Sequence, residues 1–178
     1  MTYVALLRGI NVGGKNLVPM AALRNCLVDA GLENVRTYIQ SGNVVFESGS
    51  SDKKALVTTV RDAMGRAFDL APAVLVLEAS ELSDAVAACP YLSGPVEDKF
   101  IHLTFLDGDP TDGAVDAAIE LATKTEQFAL LGRVFFLMAP DGIGRSKLAA
   151  RIETVVGVGV TSRNLRSCRK ILALAEGG

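Results

Sequence analysis

One histidine, His102, and three cysteines, Cys26, Cys89 and Cys168, are all that 178 residues offer of the soft metal ligands. The cysteines are odd in number, far apart and without a CxxC pair, so a zinc site of the usual Cys/His kind is not expected and no metal is assigned. Isolated thiols fit a reducing cytosol. A Ser/His/Asp or Cys/His mechanism must use His102 or do without histidine, and no G-x-S-x-G elbow accompanies it. His102 therefore reads as structural. The carboxylates are scattered over helix starts and turns, and none pairs into an evident acid/base dyad. No apolar run approaches the length of a membrane span. The N-terminal run Val4–Leu7 lacks the basic segment of a signal peptide. A soluble, cytoplasmic protein is expected.

Charge of one sign is also scarce. Eighteen Lys and Arg face twenty Asp and Glu, giving a net charge of −2 and a pI near 5.4. No global field draws nucleic acid or an anionic membrane. An apolar fraction of 49% with 21% charge is that of a globular chain. At this length one domain or two small halves can bury about two-thirds of the unfolded surface without disulfide or metal staples.

What is present has a repeated order. Tyr3–Leu7 reads as a buried strand. A helix follows from Pro19, with Met20, Leu23, Leu27 and Ala30 at helical spacing and Gly31 as its stop. Val35–Ile39 alternates as a strand, Gln40–Asn43 connects a hairpin, and Val44–Glu47 returns. Asp52 is an N-cap for a helix carrying Leu56, Val60, Met64 and Ala67. Ala73–Leu77 is a strand and Ser80–Ala88 a short helix. The pattern breaks around Pro90–Pro95, which sets halves at 1–92 and 93–178. The second half repeats the first. It has a strand at Phe100–Leu106 and a helix at Asp112–Thr123 with Val115, Ile119 and Ala122 on one side. Strands at Glu126–Leu130 and Val134–Met138 join at Gly132-Arg133. A helix at Ser146–Val155 and a last strand at Val158–Thr161 complete it. Leu165, Cys168 and Leu172 mark a C-terminal helix. Each half is thus strand–helix–strand–strand–helix–strand, and the fold class is α+β: two ferredoxin-like (βαββαβ) halves with antiparallel sheets and a terminal helix. Leu6, Leu27, Val45, Leu103 and Phe136 are expected in the core.

Three polar stretches interrupt this order. The first, Arg8-Gly9-Ile10-Asn11-Val12-Gly13-Gly14-Lys15-Asn16, follows a strand; its glycines allow backbone N–H groups close to an anion. It matches GxxxxGK, but Asn16 stands where Ser or Thr would bind Mg²⁺, and Pro19 requires the helix to start late. Apart from a P-loop or another phosphate cradle, these glycines serve equally to turn a strand into a helix. The second is Tyr38-Ile39-Gln40-Ser41-Gly42-Asn43. Turn chemistry alone accounts for Ser-Gly-Asn, while Tyr38 and Gln40 on one strand face would line a polar groove. The third, Thr161-Ser162-Arg163-Asn164, precedes the last helix, where Thr or Ser can cap and N–H groups favour an anion. Arg163, Arg166 and Lys170 recur at i, i+3 and i+7, either as a solvated basic face or as a binding surface.

Ala5–Asn16 and Val35–Phe46, with Gly144-Arg145-Ser146-Lys147-Leu148 and Thr161–Asn164, closely resemble the domain of unknown function 1697 family over nearly the whole chain. The chain departs from the family at Leu165, where an aromatic commonly follows Arg-Asn, and at Phe135-Phe136-Leu137, where an Ile-Tyr-Leu-like strand is common. The resemblance implies a bacterial cytosolic protein with two ferredoxin-like halves, no established activity and no cofactor.

The functional expectation is a site for a small anionic or phosphate-bearing ligand. Gly13 and Gly14 with Lys15 form the cradle and Arg8 and Arg163 supply charge-assisted bonds. Asn11, Asn16, Tyr38, Gln40, Ser41, Asn43 and Asn164 add neutral polar groups. The alternatives are an RNA- or protein-binding module, disfavoured for RNA by the acidic pI and the lack of an RNP1-like string, and a degenerate P-loop enzyme. Oligomeric state is not readable.

Overall fold

The computed structural model describes residues 1–177. The elements are β1 (Thr2–Arg8), α1 (Met20–Asp29), β2 (Glu33–Tyr38), β3 (Asn43–Glu47), α2 (Lys53–Phe68), β4 (Ala73–Glu78) and α3 (Ala79–Ala87), followed by β5 (Ile101–Leu106), α4 (Ala114–Leu121), β6 (Gln127–Leu131), β7 (Val134–Met138), α5 (Lys147–Val156), β8 (Val160–Asn164) and α6 (Leu165–Ala175). They form two four-stranded antiparallel sheets, ordered β2-β3-β1-β4 and β6-β7-β5-β8. Both orders are that of the ferredoxin-like fold. Contacts divide the chain into two compact units, one of Met1–Asp84 with the segment from Lys170 onward, the other of Ala85–Arg169.

In the first unit α1 and α2 pack on one face of the sheet. Tyr3, Ala5, Leu7, Val44 and Phe46 meet Leu23, Leu27, Leu56, Val60 and Met64 there. Strand alternation explains the split, since Val4, Leu6 and Val45, also buried, take the opposite face. Asp52 caps α2 as expected, its carboxylate accepting the N–H groups of Lys54 and Ala55 at 2.9 and 3.1 Å. In the second unit Phe135, Leu137 and Leu106 pack on Ala118, Leu148, Ile152 and Val156. Ser146 caps α5 through the Ala149 N–H at 2.9 Å. The expected core residues Leu6, Leu27, Val45, Leu103 and Phe136 are all at most 1% exposed.

Four local expectations are corrected. The strand expected at Val35–Ile39 stops at Tyr38, because Ile39 has φ +48° and turns the chain. Val115 and Ile119 are exposed; α4 instead buries Ala114 and Ala118, whose small side chains let α4 and α5 pack together. Thr161–Asn164 is not a loop before the last helix but most of β8, laddered to β5. On α6 the fully buried stripe is Leu165, Cys168 and Ile171 rather than one continuing through Leu172.

Candidate functional site

The first polar stretch is a loop pinned at both ends by buried apolar residues, Ile10 and Val18. Asn11 is its hub. The Asn11 carboxamide nitrogen donates to the carbonyls of Val18 at 3.0 Å and Gln40 at 2.9 Å, while its oxygen accepts the Val18 N–H at 2.8 Å. Its backbone N–H donates to the Asn16 carbonyl at 3.0 Å. Asn16 Nδ2 returns to the Gly9 carbonyl at 2.7 Å. Between them Val12 and Lys15 pair as a miniature hairpin, with the Lys15 N–H on the Val12 carbonyl at 3.0 Å. The two-residue turn is Gly13-Gly14 with φ +57° and +74°, the signs a type I′ turn requires at both positions. A Cβ at either glycine would meet nothing within 4 Å. The turn therefore projects into open space, and the Lys15 ammonium is exposed, without a partner among the described residues.

The P-loop arrangement is not formed. That motif needs the lysine at the start of a helix, whereas α1 begins at Met20, after Pro19, and the sheet is antiparallel.

The second polar stretch is a four-residue connection whose interior is structural. Asn43 is fully buried. Its Nδ2 donates to the Tyr38 carbonyl at 3.2 Å and to Ser41 Oγ at 2.8 Å, closing the hairpin over itself. Gly42 has φ +74°, and its carbonyl accepts the Leu7 N–H at 2.8 Å. A Cβ there would stand 2.8 Å from Leu7 Cβ. Only glycine satisfies both constraints. Because Ile39 turns the chain, Tyr38 and Gln40 do not share a strand face, correcting that expectation. Gln40 joins the first loop through its carbonyl. Arg8 closes β1 opposite Ala73 with an exposed side chain.

Arg163 and Asn164 belong to the second unit. Arg163 lies in β8 opposite Leu103, so it does not continue the helical spacing of Arg166 and Lys170. Its Nη1 donates to the Ser162 carbonyl at 2.8 Å. Burial pushes the guanidinium down to about 10, a shift the nearby Cys168 thiol opposes. The helix cap comes from Asn164, whose Oδ1 accepts the Ser167 N–H at 2.8 Å, and not from Thr161 or Ser162. Asn164 pairs with His102 across the ladder; beside them the hydroxyls of Thr104 and Ser162 bond each other. His102 is buried, its Nδ1 has no hydrogen-bond partner among the described residues, and desolvation holds its pKa below the usual value.

Sequence reading missed Arg36. Its Nε is buried without a hydrogen-bond partner among the described residues, in a groove shared with Asn34, Glu47 and Glu176. The available signal was a basic residue inside the Val35-Arg36-Thr37 strand run, where alternation puts it on the face opposite Val35. Among the described residues no group of His, Cys, Asp and Glu is arranged to hold a metal ion, and no helix is long and apolar enough to cross a membrane.

Two ferredoxin-like units in tandem, the first carrying a locked glycine–lysine loop, define a small α+β protein of duplicated architecture. The chain belongs to the family described as "Protein of unknown function (DUF1697)", whose model matches residues 1–136. The strings at Gly144–Leu148 and Thr161–Asn164 lie beyond that match. Among solved structures, the chain is similar to "conserved bacterial protein SP0830 from Streptococcus pneumoniae", with 26% identity, a TM-score of 0.76 and 98% of each chain covered. No curated protein matches the chain.

Proposed function

We propose that the first unit binds a small anionic, phosphate-bearing ligand at the Gly13–Lys15 turn. The observation that carries this reading is the Lys15 ammonium, left without a partner among the described residues on a turn that Asn11 and Asn16 hold in fixed shape. Five residues from Gly9 to Asn16 have positive φ. Such a conformation costs free energy at each non-glycine position, and exposed loops that keep it are characteristic of ligand sites. The open space around Gly13 and Gly14 gives an anion access to backbone beside the charge. Arg8 and Gln40 flank the same pair of joined loops and would extend the contact. The free thiols of Cys26, Cys89 and Cys168 accord with a reducing, cytosolic setting.

The test is thermal unfolding with inorganic pyrophosphate, for the wild type and Lys15→Ala. A ligand at a hundred times its Kd stabilises by about 2.7 kcal/mol. A rise in Tm that Lys15→Ala loses supports the reading. An equal rise in both proteins, or none in either, overturns it.

A further inference from the structure

A second place in the first unit has the chemistry of a ligand site and none of the glycine-loop features. β2 is the outer strand of its sheet. Between Glu33 and Arg36 its register with β3 shifts, and Asn34 takes φ +48° to make the bulge. Bulges of this kind re-aim side chains and recur beside functional sites. Here the bulge borders a groove of about 660 Å³ lined by Val28, Asn34, Arg36, Glu47 and the end of α6 through Glu176.

The charges in this groove are unsatisfied. Arg36 Nε is buried and makes no hydrogen bond among the described residues. Among the described residues the guanidinium forms no ion pair with Glu47 or Glu176, and neither carboxylate has another partner. Glu47 also faces Glu33 directly across the ladder, a like-charge pair that disfavours the sheet. A buried guanidinium nitrogen without an acceptor is costly, and its planar fork matches a carboxylate or phosphate. The two nearby glutamates disfavour a multiply charged anion and favour a ligand that also carries a cation.

We infer that this groove binds a small zwitterion, an amino acid or short peptide with free ends, with its carboxylate on Arg36 and its ammonium toward Glu47 and Glu176. Asn34, on the bulge, lies where a side-chain amide can bond the ligand backbone. The groove uses no residue of the Gly13–Lys15 turn, so the two sites stand or fall separately.

The test is an NMR titration of the full chain, following backbone amides, with three probes: L-alanyl-L-alanine, its C-terminal amide and its N-acetyl form. The free dipeptide is expected to shift the amides of Asn34, Arg36 and Glu47 saturably. The amide and the acetylated form are each expected to bind at least about tenfold more weakly, as loss of one charged hydrogen bond implies. Arg36→Gln should weaken the free dipeptide at least as much. Arg36→Lys, which keeps the charge but not the fork, should fall between. Lys15→Ala should bind as the wild type does. Amide spectra of the variants report whether each is folded. Absence of a saturable shift, equal binding of the three probes, or undiminished binding by folded Arg36→Gln would overturn the inference.

Discussion

Asn11 Nδ2 sits 2.9 Å from the carbonyl oxygen of Gln40, so one carboxamide ties the loop after β1 to the turn before β3. The same nitrogen reaches Val18, and the same side chain's oxygen takes the Val18 N–H. Two segments separated by β2 and α1 are thereby held as one surface.

Asn11→Ala removes all three bonds and leaves partly buried backbone groups without them. A loss of about 2 kcal/mol is expected, measured by urea unfolding. Hydrogen exchange should localise the change, with the Val18 amide losing protection while the β1 amides keep theirs.

Gly42 and Gly13 both have positive φ but differ in surroundings, which makes them a matched pair. Gly13→Ala should cost about 1 kcal/mol, the left-handed penalty alone. Gly42→Ala adds a methyl 2.8 Å from Leu7 Cβ and 2.9 Å from the Leu7 carbonyl oxygen. Its cost should reach about 3 kcal/mol once that overlap is included. Equal losses by the two variants would show that the approach of Gly42 to β1 is unimportant.

His102 sets an acid limit. Burial holds its folded pKa below the ordinary 6.5, so the unfolded chain takes up the proton more readily. This contribution to stability is present above about pH 6.5 and is lost as pH falls through that value toward the folded pKa. His102→Leu should flatten that part of the pH–stability curve measured by urea unfolding.

Thiol labelling should separate the three cysteines. Burial raises all three, Cys168 to about 12, where Arg163 pulls the other way but does not offset it. Cys89 and Cys168 are buried and Cys26 is partly exposed, its Sγ donating to the Leu23 carbonyl. With an aromatic disulfide reagent at pH 8, Cys26 should react first. Cys89 and Cys168 should react only at the rate of unfolding.

The fold was readable because its signals are regular. The unbroken apolar runs Tyr3–Leu7 and Val134–Met138, buried on both faces of their sheets, and the helical spacing of Leu56, Val60 and Met64 report burial directly. The misreadings fall where tertiary pairing overrides local chemistry. Thr161-Ser162-Arg163-Asn164 has a loop's composition, yet β5 supplies a ladder that makes it a strand. Ile39 has a strand former's side chain in a left-handed turn. Asn11, Asn16 and Asn43 read as ligand donors, and the structure shows each bonding its own or a neighbouring loop. No periodicity separates an asparagine that holds a loop from one that holds a ligand. Arg36 escaped notice because a lone cation in a strand run carries no local signal; its isolation is visible only in three dimensions.

The contacts that assign Lys170 onward to the same unit as Met1–Asp84 bear on the order of synthesis. The ribosome releases every strand of the first sheet early, then the whole of the second unit, and only then the piece that rejoins the first. A chain ended at Arg169 and released would hold every residue of the second unit, while the first unit still lacked its last segment. The unit begun first is thus the one finished last.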